Sequence, residues 1–220
     1  AYANPYGGAR ESARSAIREA LDDDRLLGFQ YSPFGGHTVV RRKVADALRG
    51  THGLDFTFRD VILTSGAMAA LHIALRMAAR ADGEVIVPVP CWIDHPLYVR
   101  AIGLSPVLLP MREPSFDLDV DAITDAITER TCAILFSHPA NPTGRAYQKD
   151  GLEALAGALE DAGERLGSPI VVISDESHRD FADNTEFVSP STFIDRTVVV
   201  YSFGKYHFLQ GQRIGYAAVS

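Results

Sequence analysis

The feature that most constrains this chain is an alternation of short, continuous apolar runs with longer segments of helical period. Ala133-Ile134-Leu135-Phe136, Ile170 to Ile173 and Thr197 to Val200 lack polar/apolar alternation, as expected of strands buried on both faces. Lys149 to Leu166, by contrast, is amphipathic at helical spacing. The same alternation runs through most of the sequence. Val61 to Leu63 leads through Thr64-Ser65-Gly66 into an alanine-rich helix ending near Arg80. Glu84 to Val87 precedes a helix from about Ile93 to Ala101, and Val107 to Leu109 precedes a short one over Val120 to Thr128. Ile214 to Val219 reads as a last strand. Before all of these, Ala13, Ile17, Ala20 and Leu21 give residues 8 to 26 a helical pattern, ended by the loop Gly28 to Gly36. A second helix is expected from about Thr38 to Leu48. Strands alternating with helices predict an α/β fold of three layers, α/β/α, around a mostly parallel central sheet.

A chain of 220 residues, 46% of them hydrophobic, can bury a substantial core as one soluble domain. Its formal charge of −7, with both signs interspersed, argues against a nucleic-acid surface, which needs a basic patch to displace counterions. The run Asp22-Asp23-Asp24 reads as a solvated helix end. No apolar stretch approaches a membrane span and no charged-then-apolar leader begins the sequence. Cys91 and Cys132 have no C-x-x-C spacing, and the seven histidines show no H-E-x-x-H. Neither a disulfide nor a metal site is therefore expected, and a reducing cytoplasm is the default compartment. The sequence begins at Ala1 without methionine and stops at Ser220 directly after a strand-like run, so a fragment of a longer chain is expected.

In open α/β sheets, ligands sit beyond the carboxyl ends of the strands. The residues just past each expected strand form a coherent set: Ser65-Gly66-Ala67, Pro90-Cys91-Trp92, His138 to Gly144, Asp175-Glu176 and Ser202 to Lys205. Ser65-Gly66-Ala67 opens a helix, where free N–H groups and the dipole favour a phosphate; alone it would read as a plain cap. Ser202 and Arg213 flank Lys205 and could complete an anion cup, although an isolated Arg213 would more often be a surface ion-pair partner. Asn141, held between Ala140 and Pro142, is biased to extended backbone. It is either a fixed amide donor or part of a generic turn. Asp175 at the mouth of a buried sheet needs a partner, since an unpaired buried carboxylate is costly; a protonated ring nitrogen would serve. Trp92, the single tryptophan, is either core or a platform for a flat ring.

With these residues in view, the sequence resembles pyridoxal-phosphate enzymes of fold type I, specifically the class I/II aminotransferases. The matching segments are Asn141-Pro142-Thr143-Gly144, Asp175-Glu176, and Ser202-Phe203-Gly204-Lys205 followed by Gly211-Gln212-Arg213-Ile214-Gly215-Tyr216. They run in family order from about Tyr31 to the last residue. The four-residue Asn141 string is weakly specific, whereas the lysine segment with arginine eight residues on is highly so. The resemblance implies pyridoxal 5'-phosphate held as an internal aldimine on Lys205, which later serves as proton-transfer base. It implies that Asp175 pairs with the pyridinium nitrogen, Asn141 bonds the phenolic oxygen and Trp92 stacks on the ring. Ser65, Gly66, Ala67, Ser202 and Arg213 would hold the phosphate. His95 resembles a histidine that supports the aspartate in some members; a helix-face histidine is the alternative.

The resemblance also implies a domain layout. Residues 1–36 would form an N-terminal segment and dimer-contact loop, in which Tyr31 reaches the phosphate of the neighbouring subunit of a homodimer. Residues 37–220 would form the cofactor-binding large domain, incomplete at its C-terminus and without the small domain that carries the substrate-carboxylate arginine. Arg41, Arg42 and Arg145 are no obvious replacements for that arginine. Most relatives have tyrosine three residues after the aspartate, where this chain has His178, a group that titrates near neutrality. Transamination between an amino acid and a 2-oxo acid is the implied activity. Elimination, cyclisation or oxidation on the same scaffold is the alternative that His178 favours. A cofactor-binding regulator is a third reading, but no basic DNA-binding segment accompanies the domain. A dinucleotide-binding domain lacks support, because no G-x-G-x-x-G follows the first strand.

Overall fold

A computed structural model of the chain describes residues 7–23, 30–182 and 187–220. The last residues of the helix expected over 8 to 26, Asp24 in the acidic run and the start of the following loop lie outside these. Among the described residues, seven strands form one sheet: β1 (Val61–Thr64), β2 (Glu84–Val89), β3 (Ser105–Pro110), β4 (Thr131–Ser137), β5 (Val171–Asp175), β6 (Thr197–Ser202) and β7 (Gly215–Val219). Their spatial order is β1-β7-β6-β5-β4-β2-β3. Every pairing is parallel except the two that β7 makes, with β1 and β6. The carboxyl ends of β1 to β6 therefore share one edge with the amino end of β7. Between β2 and β4 the strand order reverses, with β3 on the outer side of β2, which opens a crevice at that edge.

Seven α-helices accompany the sheet among the described residues: α1 (Glu11–Asp22), α2 (Thr38–His52), α3 (Ala67–Ala78), α4 (His95–Ala101), α5 (Val120–Ala126), α6 (Lys149–Leu166) and α7 (Gly204–His207). Strand alternation separates the two faces. Val198 and Val200 of β6, Leu135 of β4 and Ile173 of β5 pack against Ala70, Leu71, Ala74 and Leu75 of α3 and Val99 of α4. Alanines at these positions let α3 lie close to the sheet. On the opposite face Ile134, Phe136 and Val172 meet Ile123 of α5 and the α6 stripe Leu152, Leu155, Leu159 and Ala162. That stripe, spaced by three and four residues, is the buried side of an amphipathic helix. Val199, Tyr201, Tyr216 and Ala218 meet Val44, Ala45 and Leu48 of α2 on this same side. The result is the expected α/β/α sandwich.

The expected elements are all present, with shifted ends. The helix after β2 starts at His95 rather than Ile93, with Asp94 as its N-cap and Pro96 in its first turn, where a missing N–H is harmless. Trp92 is thereby left in the preceding turn, its carbonyl accepting from His95 N at 3.0 Å. The sequence pattern did not reveal α7, the single turn that carries Lys205. Among the described residues no helix is long and apolar enough to cross a membrane.

Candidate functional site

The polar groups at the carboxyl edge converge on one cleft. Its walls are Ala67, Met68 and Leu71 of α3, Trp92, Asn141, Asp175, Ser177, His178, Ser202, Lys205 and Arg213. Asp175 is the last residue of β5 and is buried. Its Oδ1 accepts from Ser177 N at 3.1 Å and from Ser177 Oγ at 2.6 Å. Its Oδ2 lies 3.5 Å from His95 Nε2, at the limit of hydrogen-bonding range. Burial alone would raise this carboxyl; the His95 imidazole and the Ser177 donors outweigh it and hold Asp175 below the usual carboxylate value. A second charged partner aimed at Oδ2 from the cleft would suit this arrangement.

Lys205 sits on α7, immediately after β6. The turn is fixed by Gly204 N donating to Ser202 Oγ at 3.3 Å and Leu209 N donating to the Gly204 carbonyl at 3.0 Å. Among the described residues no hydrogen bond or ion pair restrains the lysine amine. Phe203 N donates to the Ile214 carbonyl at 3.1 Å, which closes the connection from β6 to β7 and returns Arg213 to the same edge. Arg213 has a left-handed backbone, φ 53°. Its Nη1 donates to the Gln210 carbonyl at 3.0 Å, and its Nη2 reaches the Ser65 carbonyl at 3.5 Å.

This guanidinium lies over the start of α3, and the approach depends on Gly66. Gly66 has φ 78°, and a Cβ there would come within 2.6 Å of Arg213 Nη2. A Cβ on Gly215 would similarly meet the Tyr201 carbonyl at 2.5 Å and the Gly66 backbone at 2.7 Å. Two residues without side chains thus bring β7, β6 and the α3 N-terminus together beneath an arginine. Unsatisfied N–H groups of a 12-residue helix and a guanidinium on one concave surface suit a phosphate. Ser65 lies at the exposed rim of this cradle, Gly66 is buried, and Ala67 lines the cleft.

His178 faces both this cleft and a neighbouring one bounded by Asn141, Pro142, Arg145 and Phe181. Its buried Nδ1 has no hydrogen-bond partner among the described residues. Burial lowers its pKa; Asp175 opposes that shift and Lys205 adds to it. Trp92 packs edge-on against His95, with ring centroids 5.4 Å apart, beside the aspartate. Arg145 is bound by Asp117 through contacts of 2.6 and 2.9 Å, and Arg41 donates to the Val61 carbonyl at 2.6 Å. Tyr31 is fully exposed in this chain and does not join the cleft.

The structure therefore brings Ala67, Trp92, Asn141, Asp175, His178, Ser202, Lys205 and Arg213 to one cavity, puts Ser65 and Gly66 at its edge, and leaves Tyr31 apart. Sequence reasoning missed Ser177, Met68 and Leu71. A serine two residues beyond a strand-end aspartate could have signalled Ser177, since that spacing lets both its N–H and its hydroxyl reach the carboxylate. Met68 and Leu71 follow Ala67 by one and four residues, on one helix face.

The three-layer α/β domain thus gathers an anion cradle, a buried carboxylate and a lysine at one sheet edge. All 220 residues match the model of one family, "Aminotransferase class I and II", and the chain belongs to that family. It is 28% identical over 205 residues to a probable aspartate aminotransferase of Methanocaldococcus jannaschii, covering 93% of this chain and 52% of that protein. It is 31% identical over 215 residues to a probable aspartate/prephenate aminotransferase of Aquifex aeolicus, covering 95% and 51%. Among solved structures, an amino transferase from Eubacterium rectale superposes with a TM-score of 0.95 at 30% identity, covering 100% of this chain and 56% of the other. Aspartate aminotransferase from Thermus thermophilus with maleate gives 0.89 at 31% identity, covering 99% and 55%. The chain spans about half the length of the curated relatives it matches.

Proposed function

We propose that this chain is the cofactor-binding part of a pyridoxal-phosphate-dependent aminotransferase, which moves an amino group between an amino acid and a 2-oxo acid. The observation that carries the reading is the shared cleft of Lys205, Asp175 and Arg213 over the α3 N-terminus. When bound, pyridoxal phosphate supplies a conjugated ring that accepts the electron pair left when a substrate loses its α-proton. The Gly66 cradle suits its phosphate: Ser65, Gly66 and Ala67 would offer backbone donors, Ser202 a hydroxyl and Arg213 a charge. Asp175, held ionised by His95 and Ser177, would keep the ring nitrogen protonated. Asn141 and His178 would reach the phenolic oxygen, and Trp92 would pack on the ring face. Lys205 Nζ would hold the cofactor and act as the base that takes and returns the substrate's α-proton.

The family membership and the names of the relatives support transamination. Residues 1–36 would supply a dimer contact, with exposed Tyr31 reaching the phosphate bound by a second copy, and residues 37–220 the cofactor domain of a cytoplasmic homodimer. The test uses the full-length protein loaded with pyridoxal phosphate. Borohydride should fix the pyridoxyl group on Lys205 and fail to do so in Lys205→Ala. Suitable amino acids should convert the bound cofactor stoichiometrically to pyridoxamine phosphate. If none does so in a broad panel, transamination is wrong.

His178 supports a second reading. His178 lines the cleft, its buried Nδ1 has no hydrogen-bond partner among the described residues, and a titratable donor there suits elimination or another fate of the same carbanion. Product analysis separates the two, because elimination releases ammonia without stoichiometric pyridoxamine phosphate.

A further inference from the structure

Behind the cleft, on the opposite face of the sheet, lies a buried charged network that none of the roles above uses. Arg179 is buried. Its Nη2 donates to the Tyr216 hydroxyl at 2.6 Å and its Nη1 to Glu176 Oε2 at 3.3 Å. Its guanidinium carbon lies 4.2 Å over the Tyr201 ring and 5.8 Å from the Tyr216 centroid. Glu176, also buried, accepts from Ser189 Oγ at 2.6 Å, and the Tyr201 hydroxyl donates to Asp180. A buried cation flanked by two aromatic faces and a carboxylate is costly to assemble, so its place in the fold calls for explanation.

That place is informative. Glu176 follows Asp175, Arg179 follows His178, Tyr201 precedes Ser202, and Tyr216 comes three residues after Arg213. Strand alternation points Tyr201 away from the cleft while Ser202 lines it. One guanidinium thus ties together the ends of β5, β6 and β7, the three strands that carry Asp175, Ser202 with Lys205, and Arg213. We propose that Arg179 is a positioning residue that fixes the spacing between Asp175 and the Ser202–Arg213 anion cup. This inference rests on the reading that pyridoxal phosphate occupies the cleft with its ring nitrogen at one of these ends and its phosphate at the other.

A ligand that spans both ends gains from their fixed separation, whereas a ligand that reaches one end does not. The experiment therefore compares pyridoxal phosphate with two part-ligands, pyridoxal and inorganic phosphate, in the full-length protein. Variants are Arg179→Met, Tyr216→Phe and Arg179→Lys. In the first two, Kd for pyridoxal phosphate should rise about tenfold or more, while each part-ligand changes less than about threefold. The pH midpoint of the bound cofactor's visible absorbance should move with it, and Arg179→Lys should restore part of both effects. An unchanged Kd for pyridoxal phosphate overturns the proposal. Equal weakening of all three ligands overturns it too, because that marks local unfolding rather than lost spacing. If Arg179→Met does not fold, Tyr216→Phe, which removes one oxygen atom, decides the matter. Wild-type protein that binds no pyridoxal phosphate would instead overturn the cofactor reading, and this inference with it.

Discussion

At Gly66 a left-handed backbone and the close approach of Arg213 leave no room for a methyl group. Gly66→Ala is expected to cost about 1–3 kcal/mol of folding stability, and to weaken cofactor binding further because Arg213 must withdraw. A denaturant melt of the free protein and a cofactor titration measure the two effects separately. Asp175 gives a pH signature. Its carboxyl is held below the ordinary 3.8 of an unfolded aspartate, so it contributes stability above that value and loses it as pH falls through the folded value. Melts of the free protein between pH 5 and 3 should therefore be flatter for Asp175→Asn than for wild type. Asp175, Lys205, Asn141 and Arg213 were legible in the sequence because their neighbours along the chain are distinctive. Ser177, Met68 and Leu71 were not, since a serine in a turn and two apolar residues on a helix are locally indistinguishable from ordinary structure. Arg179 has no distinguishing signal along the chain; its role comes from the tyrosines of β6 and β7 folded against it.

Among the connecting elements, the loop bearing Asn141 is anchored by His138, which is buried. Its Nδ1 accepts from Tyr147 N at 3.3 Å, which leaves Nε2 to donate to the Val188 carbonyl at 3.0 Å. The ring stacks between Tyr147 at 5.2 Å and Phe187 at 4.8 Å. Burial pushes its pKa down to about 4. The unfolded chain therefore takes up this proton first as pH drops, and stability falls between about pH 6.5 and 4 by up to about 3 kcal/mol. His138→Gln should flatten that part of the curve in urea melts. His52, also lowered to about 4 but only partly buried, leaves a smaller slope of the same sign. Helix and strand identities were legible because short continuous apolar runs alternate along the chain with longer segments of helical period. The start of α4 was not, because Asp94 and Pro96 set it against the apolar pattern. Nor was α7, which is too short to show any period.

Taken as a whole molecule, the α/β/α sandwich follows from apolar runs that must be covered on both sides. The reversed direction of β7 does not, since a strand pattern carries no record of which way its neighbours run. If the cleft binds pyridoxal phosphate, saturation should stabilise the entire fold: at a hundredfold excess over Kd the gain is about 2.7 kcal/mol. Thermal melts with and without the cofactor test this, and Lys205→Ala should show a smaller shift. An unchanged melting temperature in wild type would argue against a cofactor site here.

The reversed strand has a further consequence for how such a chain is made. At the edge of the sheet, β1 has β7 as its one strand neighbour among the described residues, and Ser65 meets Arg213 across 148 positions of sequence. A ribosome adding about 5–20 residues each second delivers the second of these on the order of ten seconds after the first. Throughout that interval β1 lacks its partner β7, and the anion cradle has a floor without its arginine. The cradle thus cannot be completed before Arg213 emerges, however early its first residues are made.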